Sequence, residues 1–143
     1  MRYALFSLLL LFVACSSDTP ENVPQRVDQL IAEDNYEEAL DLLEGVEPGE
    51  VDADLSTLQE KVHLNYGIFL EYRGGDDTSM RDRMTGALEQ YIEVLKINPD
   101  NQKAISEIEQ IMGIYSTMPQ SPGEDILAQL RELGFDYGNE QNQ

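Results

Sequence analysis

The 143-residue sequence predicts an all-α fold built from antiparallel helix pairs. Apolar residues recur every three or four positions from Val23 to Leu133, which is the spacing that gives a helix one buried face. No segment alternates apolar and polar residues convincingly in the manner of a strand. Turn-forming residues divide this region into six segments, and they lie at Asp34-Asn35, Gly45, Gly74-Gly75, Asn98-Pro99 and within residues 116–125.

The first two segments predict a pair of short helices. Pro24 suits the first position of a helix, and Val27, Leu30 and Ile31 supply the apolar face that follows it. The second helix, in NYEEALDLLEG, has apolar residues on one face and acidic residues on the other, and it ends at Gly45.

The next two segments predict a longer pair. The third helix is expected to start near Asp52 or Asp54 and to end at Gly74-Gly75. The fourth is expected to stop at Asn98-Pro99, because proline disfavours the helical conformation in the residue before it.

Two further helices complete the predicted domain. The fifth begins at Asp100 or Asn101 and buries residues up to Tyr115. The order Ser121-Pro122-Gly123-Glu124 is that of a capping box with proline at the first helical position, so it predicts the start of the sixth helix, which ends before Gly134. The helical domain therefore covers residues 23–134, with a flexible tether at 15–22 and a disordered polar tail at 135–143.

Two stretches resemble the tetratricopeptide repeat. In ALEQYIEVLKINP, Ala87, Tyr91 and Pro99 have the spacing of the second helix of that repeat. Upstream, YGIFL matches the pattern of the first helix and has Gly67 as its small residue. Small residues let neighbouring helices approach closely, and Tyr91 fills the space between repeats. The resemblance covers roughly residues 23–115, with an insertion at 72–83 between the paired helices.

This resemblance implies a short α-solenoid whose concave face, lined by the first helix of each pair, receives a peptide or helix from a partner. On the third helix, Lys61 and Asn65 are four residues apart and resemble half of the carboxylate clamp of some tetratricopeptide domains. The fifth helix offers Lys103, but Glu107 stands where a second basic residue would be needed. The sixth helix is expected to cap the stack, a role that dimerisation could also fill. The predicted partner-binding residues are Lys61, Asn65, Tyr66, Ile105 and Ile108.

The N-terminus resembles a bacterial lipoprotein signal peptide at residues 1–14. Arg2 supplies a positive charge, and the apolar run at residues 4–13 is shorter than the roughly 20 residues that span a bilayer. Phe12-Val13-Ala14-Cys15 resembles a lipobox, with phenylalanine where leucine is usual. The resemblance implies cleavage after Ala14 and acylation of Cys15, the single cysteine of the chain. Ser16 follows the cysteine at a position where some lipoproteins have aspartate. In this respect the chain resembles outer-membrane lipoproteins, so the expected location is the outer membrane, facing the periplasm.

The chain is strongly acidic, with 28 Asp and Glu against 9 Lys and Arg and a formal net charge of −19. This charge argues against nucleic acid and against an anionic membrane surface as partners, since both would repel it. A salty habitat and a basic protein ligand both fit it. His63 is the single histidine, and motifs for catalysis or phosphate binding are absent, so we expect no catalytic residue, metal, cofactor or small-molecule substrate.

Two functions fit these observations. The first is a membrane-anchored scaffold lipoprotein that binds a partner protein in the cell envelope. The second is a fixed accessory subunit of an envelope assembly or transport complex.

Overall fold

The computed structural model describes residues 23–47, 54–74 and 78–137. Within these ranges the chain forms six α-helices and no β-strand, so the prediction of an all-α fold is confirmed. Neighbouring helices pack as antiparallel pairs in a short, repeat-like stack. The helices are α1 (Val23–Ala32), α2 (Tyr36–Glu44), α3 (Leu55–Tyr72), α4 (Met80–Ile97), α5 (Gln102–Tyr115) and α6 (Glu124–Glu132).

Side-chain caps fix the starts of three helices. Asp54 accepts a hydrogen bond from the Ser56 amide at the start of α3, and Asn101 accepts one from the Ala104 amide at the start of α5. Ser79 plays the same part for α4. Each cap satisfies an amide that has no partner inside its helix. For each of α3 and α5 the sequence predicted two alternative starts, and the observed caps, Asp54 and Asn101, are among them.

The predicted start of the sixth helix is wrong. α6 begins at Glu124, and its N-cap is Gly123, which has φ 128° and no side chain to form a cap. The positive φ favours glycine and takes the chain out of the helical path before Glu124. Ser121 therefore lies outside the helix, where its carbonyl accepts a hydrogen bond from Arg81 of α4.

α3 joins two clusters of core residues. On one side, Leu58 and Val62 belong to a cluster with the buried residues of α1 and α2. On the other, Leu64 and Ile68 pack against a larger cluster that contains the buried residues of α4, α5 and α6. α6 packs against α4, and it buries its own apolar face in this second cluster. Among the described helices, α3 therefore links the two halves of the stack.

The crossing of α3 and α4 depends on a residue without a side chain. A Cβ atom added to Gly67 would lie 2.5 Å from Cε1 of Tyr91, which is closer than carbon atoms can approach. Tyr91 and Ala87 are both 0% exposed on the facing side of α4. The small residues predicted this close approach, but the Tyr91 ring, expected between repeats, packs on Gly67 within the α3–α4 pair.

Two predicted boundaries differ from the structure. Both ends of the insertion expected at residues 72–83 are helical, because α3 extends to Tyr72 and α4 already begins at Met80. At the C-terminus, Phe135 and Tyr137 stack on each other and pack against the second core cluster. The packed part of the chain therefore extends beyond residue 134, and residues 138–143 lie outside the described ranges.

Candidate partner-binding site

Lys61 and Asn65, the predicted half of a carboxylate clamp, both have partners inside the domain. Lys61 Nζ donates to Asp28 Oδ1 of α1 at 2.6 Å, and both side chains are about half exposed. Asn65 Nδ2 donates to the Lys61 carbonyl oxygen, one turn earlier on α3, at 2.8 Å. An exposed ion pair contributes little to stability, so Lys61 can exchange Asp28 for another carboxylate at small cost.

The other three predicted residues lie in different environments. Tyr66 stacks on Tyr36 of α2, with ring centroids 5.0 Å apart, and its hydroxyl donates to Glu37 at 3.3 Å. Ile105 is half-buried and lines a cavity of about 140 Å³ beside the C-terminal segment. Ile108 is 0% exposed. Its assignment to a docking surface is wrong, because it belongs to the core. The predicted lipidation site, Cys15, lies outside the described residues.

A polar network joins α3 to α5, and the sequence analysis did not predict it. Tyr72 Oη donates to Glu107 Oε2 at 2.8 Å, and Lys103 Nζ donates to the other oxygen of that carboxylate. Gln110 Nε2 donates to Glu71 Oε1 at 2.8 Å and to Tyr72 Oη at 2.9 Å. We call this set of residues the α3–α5 network: Glu71, Tyr72, Lys103, Glu107 and Gln110.

Tyr91 of α4 closes the network on its inner side. Its hydroxyl donates to Glu71 Oε2 at 2.9 Å, and its ring is fully buried against Gly67. Burial, followed by the hydrogen bond to Glu71, raises the pKa of Tyr91 well above its usual value. The hydroxyl therefore remains a hydrogen-bond donor throughout the physiological range.

Glu107 is a carboxylate on the apolar face of its helix, and it is 3% exposed. It follows Ala104 by three residues and precedes Ile111 by four, and both of these are fully buried. Burial alone would raise the pKa of Glu107, but the hydrogen bonds from Lys103 and Tyr72 outweigh burial and hold that pKa below its ordinary value. An acidic residue inside an apolar stripe was the signal that sequence reasoning could have used.

Tyr72 presents an exposed ring above this network. Its exposed fraction is 55%, and among the described residues only Met80, at 50%, is a comparably exposed large hydrophobic residue. Glu107 and Gln110 hold the hydroxyl in place, so the ring loses little freedom when another molecule packs on it. Tyrosine is one of the residues that most often dominate protein interfaces. The α3–α5 network is therefore the candidate binding surface.

No group of three or more His, Cys, Asp and Glu residues within residues 23–47, 54–74 and 78–137 is placed to hold a metal ion. None of the helices there combines the length and the hydropathy needed to span a bilayer.

The fold and the site together define a small all-α protein of stacked helix pairs, with a polar and aromatic surface across two of its helices. No family model matches the chain, and no solved structure matches it. The chain is 34% identical over 107 residues to a curated relative, the septation ring formation regulator EzrA of Lactococcus lactis subsp. cremoris (strain MG1363). The alignment covers 73% of this chain but 17% of EzrA, so the chain spans a small part of that relative.

Proposed function

We propose that the chain is a lipid-anchored interaction module of the bacterial cell envelope, which binds a partner protein and performs no catalysis. The observation that carries this proposal is the exposed Tyr72 ring, whose hydroxyl is held across α3 and α5 by the buried Glu107 and the exposed Gln110. α3 and α5 are the first helices of the second and third pairs that the sequence predicts. In tetratricopeptide proteins, which the sequence resembles, the first helices line the surface that receives a partner.

The anchor in this proposal is Cys15, and it can be tested directly. The Cys15→Ala variant should take up no clickable fatty acid and should persist as an uncleaved precursor, because the modified thiol is needed before the signal peptide is removed. Ser17→Ala, two residues away, should be labelled and processed like the wild type. A processed, unlabelled product from Cys15→Ala would contradict the proposal, and so would an unmodified thiol in the mature wild-type chain.

The proposed location is the outer membrane, facing the periplasm, and it follows from Ser16 after the acylated cysteine. Membrane separation on a density gradient tests this location. The chain should sediment with outer-membrane markers, whereas sedimentation with inner-membrane markers would reject the location and leave the anchor intact.

A fixed accessory subunit of a larger envelope complex is the second candidate. Extraction of membranes with detergent at rising salt separates the two candidates. A transient adaptor with a charge of −19 should release a basic partner as salt screens the attraction, whereas a fixed subunit should keep its neighbours. The similarity to part of a septation ring formation regulator makes cell-division proteins the first partners to test.

A further inference from the structure

The carboxyl groups of Glu71 and Glu107 lie in one hydrogen-bond network. Gln110 Nε2 donates to Glu71 Oε1 and to Tyr72 Oη, and Tyr72 in turn donates to Glu107 Oε2, at distances between 2.8 and 2.9 Å. An ionised carboxylate can only accept, so Tyr72 and Gln110 link the two groups by donating to them.

The groups that face this pair come from three helices. α3 supplies Glu71 and Tyr72, α4 supplies Tyr91, and α5 supplies Glu107 with Lys103 and the neutral Gln110. When both carboxyl groups are ionised, two negative charges face the single positive charge of Lys103. Protonation of one carboxyl group makes the cluster neutral. Because Glu107 is 3% exposed, water screens the surplus negative charge poorly.

We propose that the carboxyl groups of Glu71 and Glu107, bridged by Gln110 and Tyr72, form a pH-dependent latch between α3 and α5, which is closed in mildly acidic medium and weakens as the pH rises. The latch goes beyond the proposed function, since it requires neither a partner nor a lipid anchor. It acts on the joint between successive helix pairs, because α3 contributes side chains to both core clusters.

The direction of the pH dependence follows from the two groups. Burial, with a contribution from the neighbouring Glu107 charge, raises the pKa of Glu71 above its ordinary value of 4.5. A group whose pKa is raised by folding stabilises the folded state at pH values below its pKa in the unfolded chain. This stabilisation is lost as the pH rises through its pKa in the folded state. The pKa of Glu107 is lowered by folding, so its stabilisation of the folded state is lost only as the pH falls through its pKa in that state. The two carboxyl groups therefore stabilise the folded state most near pH 4.5, and this stabilisation decreases toward neutral pH.

The first test is a titration of the side-chain carboxyl groups of the full chain by NMR, in detergent. Glu71 should titrate above 4.5, and Glu107→Gln should shift that titration to lower pH because it removes the neighbouring charge. A Glu71 titration at its ordinary value in the wild type would overturn the proposal. The wild-type titration does not depend on the folding of any variant.

The second test is urea unfolding of the same chain between about pH 4.5 and about pH 8. The wild-type midpoint should fall across this range, and Glu71→Gln should abolish at least half of the fall because its neutral amide carries no charge to desolvate. Glu44→Gln, at an exposed position on α2, is the matched control and should retain the wild-type fall. Equal pH dependence in Glu71→Gln and the wild type would contradict the latch.

Amide hydrogen exchange shows which helices loosen as the pH rises. After correction for the intrinsic pH dependence of exchange, protection should decrease in α5 as the pH rises, while α1 should change less because it belongs to the other core cluster. An equal change in both helices would show a general effect of charge and would argue against the latch.

Discussion

Gly67 shows how one residue sets the distance between two helices. The Tyr91 ring occupies the space in which a Cβ atom at Gly67 would lie, and it has little freedom to move because it is fully buried and hydrogen-bonded to Glu71. Glycine normally weakens a helix interior by about 0.5–1 kcal/mol relative to alanine. Here close packing on Tyr91 offsets that cost.

Gly67→Ala should therefore destabilise the protein despite its better helix propensity. Overpacking of a core usually costs about 1–3 kcal/mol, so we expect a net loss of about 1–2 kcal/mol in the free energy of unfolding. Gly113→Ala is the matched control in α5, where an added Cβ meets no atom within 4 Å, and it should stabilise by about 0.5–1 kcal/mol. Urea unfolding measures both values. Equal effects of the two substitutions would refute the close approach at Gly67.

At the scale of elements, Glu60 of α3 organises the turn between α4 and α5. Its Oε1 atom accepts hydrogen bonds from Asn98 Nδ2 at 2.8 Å and from Asn101 Nδ2 at 2.7 Å. The amide of Asn101 is thereby oriented so that its oxygen caps α5 through the Ala104 amide. One carboxylate thus ties α3 to both the end of α4 and the start of α5.

Removal of this carboxylate should loosen the turn. Glu60→Ala loses two hydrogen bonds and is expected to destabilise the protein by about 1–2 kcal/mol, with faster amide exchange at residues 101–104. Glu60→Gln keeps a carbonyl oxygen that can accept both bonds and should lose less than half as much. Urea unfolding and hydrogen exchange check these values. A loss as large in Glu60→Gln as in Glu60→Ala would mean that the hydrogen bonds do not account for the stability.

The helices could be predicted from the sequence because apolar periodicity is a local signal. Apolar spacing and the turn at Asn98-Pro99 placed α4 and α5, and Asp54 and Asn101 are caps of a type that sequence reveals. The start of α6 could not be predicted, since the capping order at Ser121 competes with a positive φ at Gly123 that only the surrounding loop explains. The α3–α5 network was missed because Tyr72 and Glu107 lie 35 positions apart, and only packing brings them together.

The predicted partner-binding residues on α5 could not be told apart from the sequence for the same reason, because only packing decides which of them is exposed. Ile105 and Ile108 both follow the apolar period of α5, but Ile105 lies at the edge of a cavity and Ile108 is in the core. Periodicity identifies the buried side of a helix. It does not say where that side stops facing the core and starts facing a groove.

At the scale of the whole molecule, the excess of acidic residues should make stability depend on salt. The 28 acidic residues outnumber the 9 basic ones, and screening reduces their mutual repulsion. We expect the melting temperature at neutral pH to rise by several degrees as sodium chloride is raised from about 0.01 M to about 0.5 M. Thermal unfolding followed by circular dichroism checks this. An unchanged or lower melting temperature would show that repulsion is not a significant cost.

The arrangement of two core clusters around α3 bears on function at the same scale. Tyr72 lies at the end of α3 and contacts α5 through Glu107, so any partner that packs on this ring touches two successive helix pairs. A surface formed by helices of different pairs exists only while the stack is assembled. Binding and packing are therefore expected to depend on each other.

Site-specific photo-cross-linking in intact cells tests whether a partner protein docks on Tyr72. A photoreactive phenylalanine analogue replaces Tyr72, and in the control it replaces Glu44, an exposed residue of α2. We expect a discrete cross-linked protein from position 72 and none from position 44. Equal cross-linking from both positions, or none from position 72, would contradict this expectation.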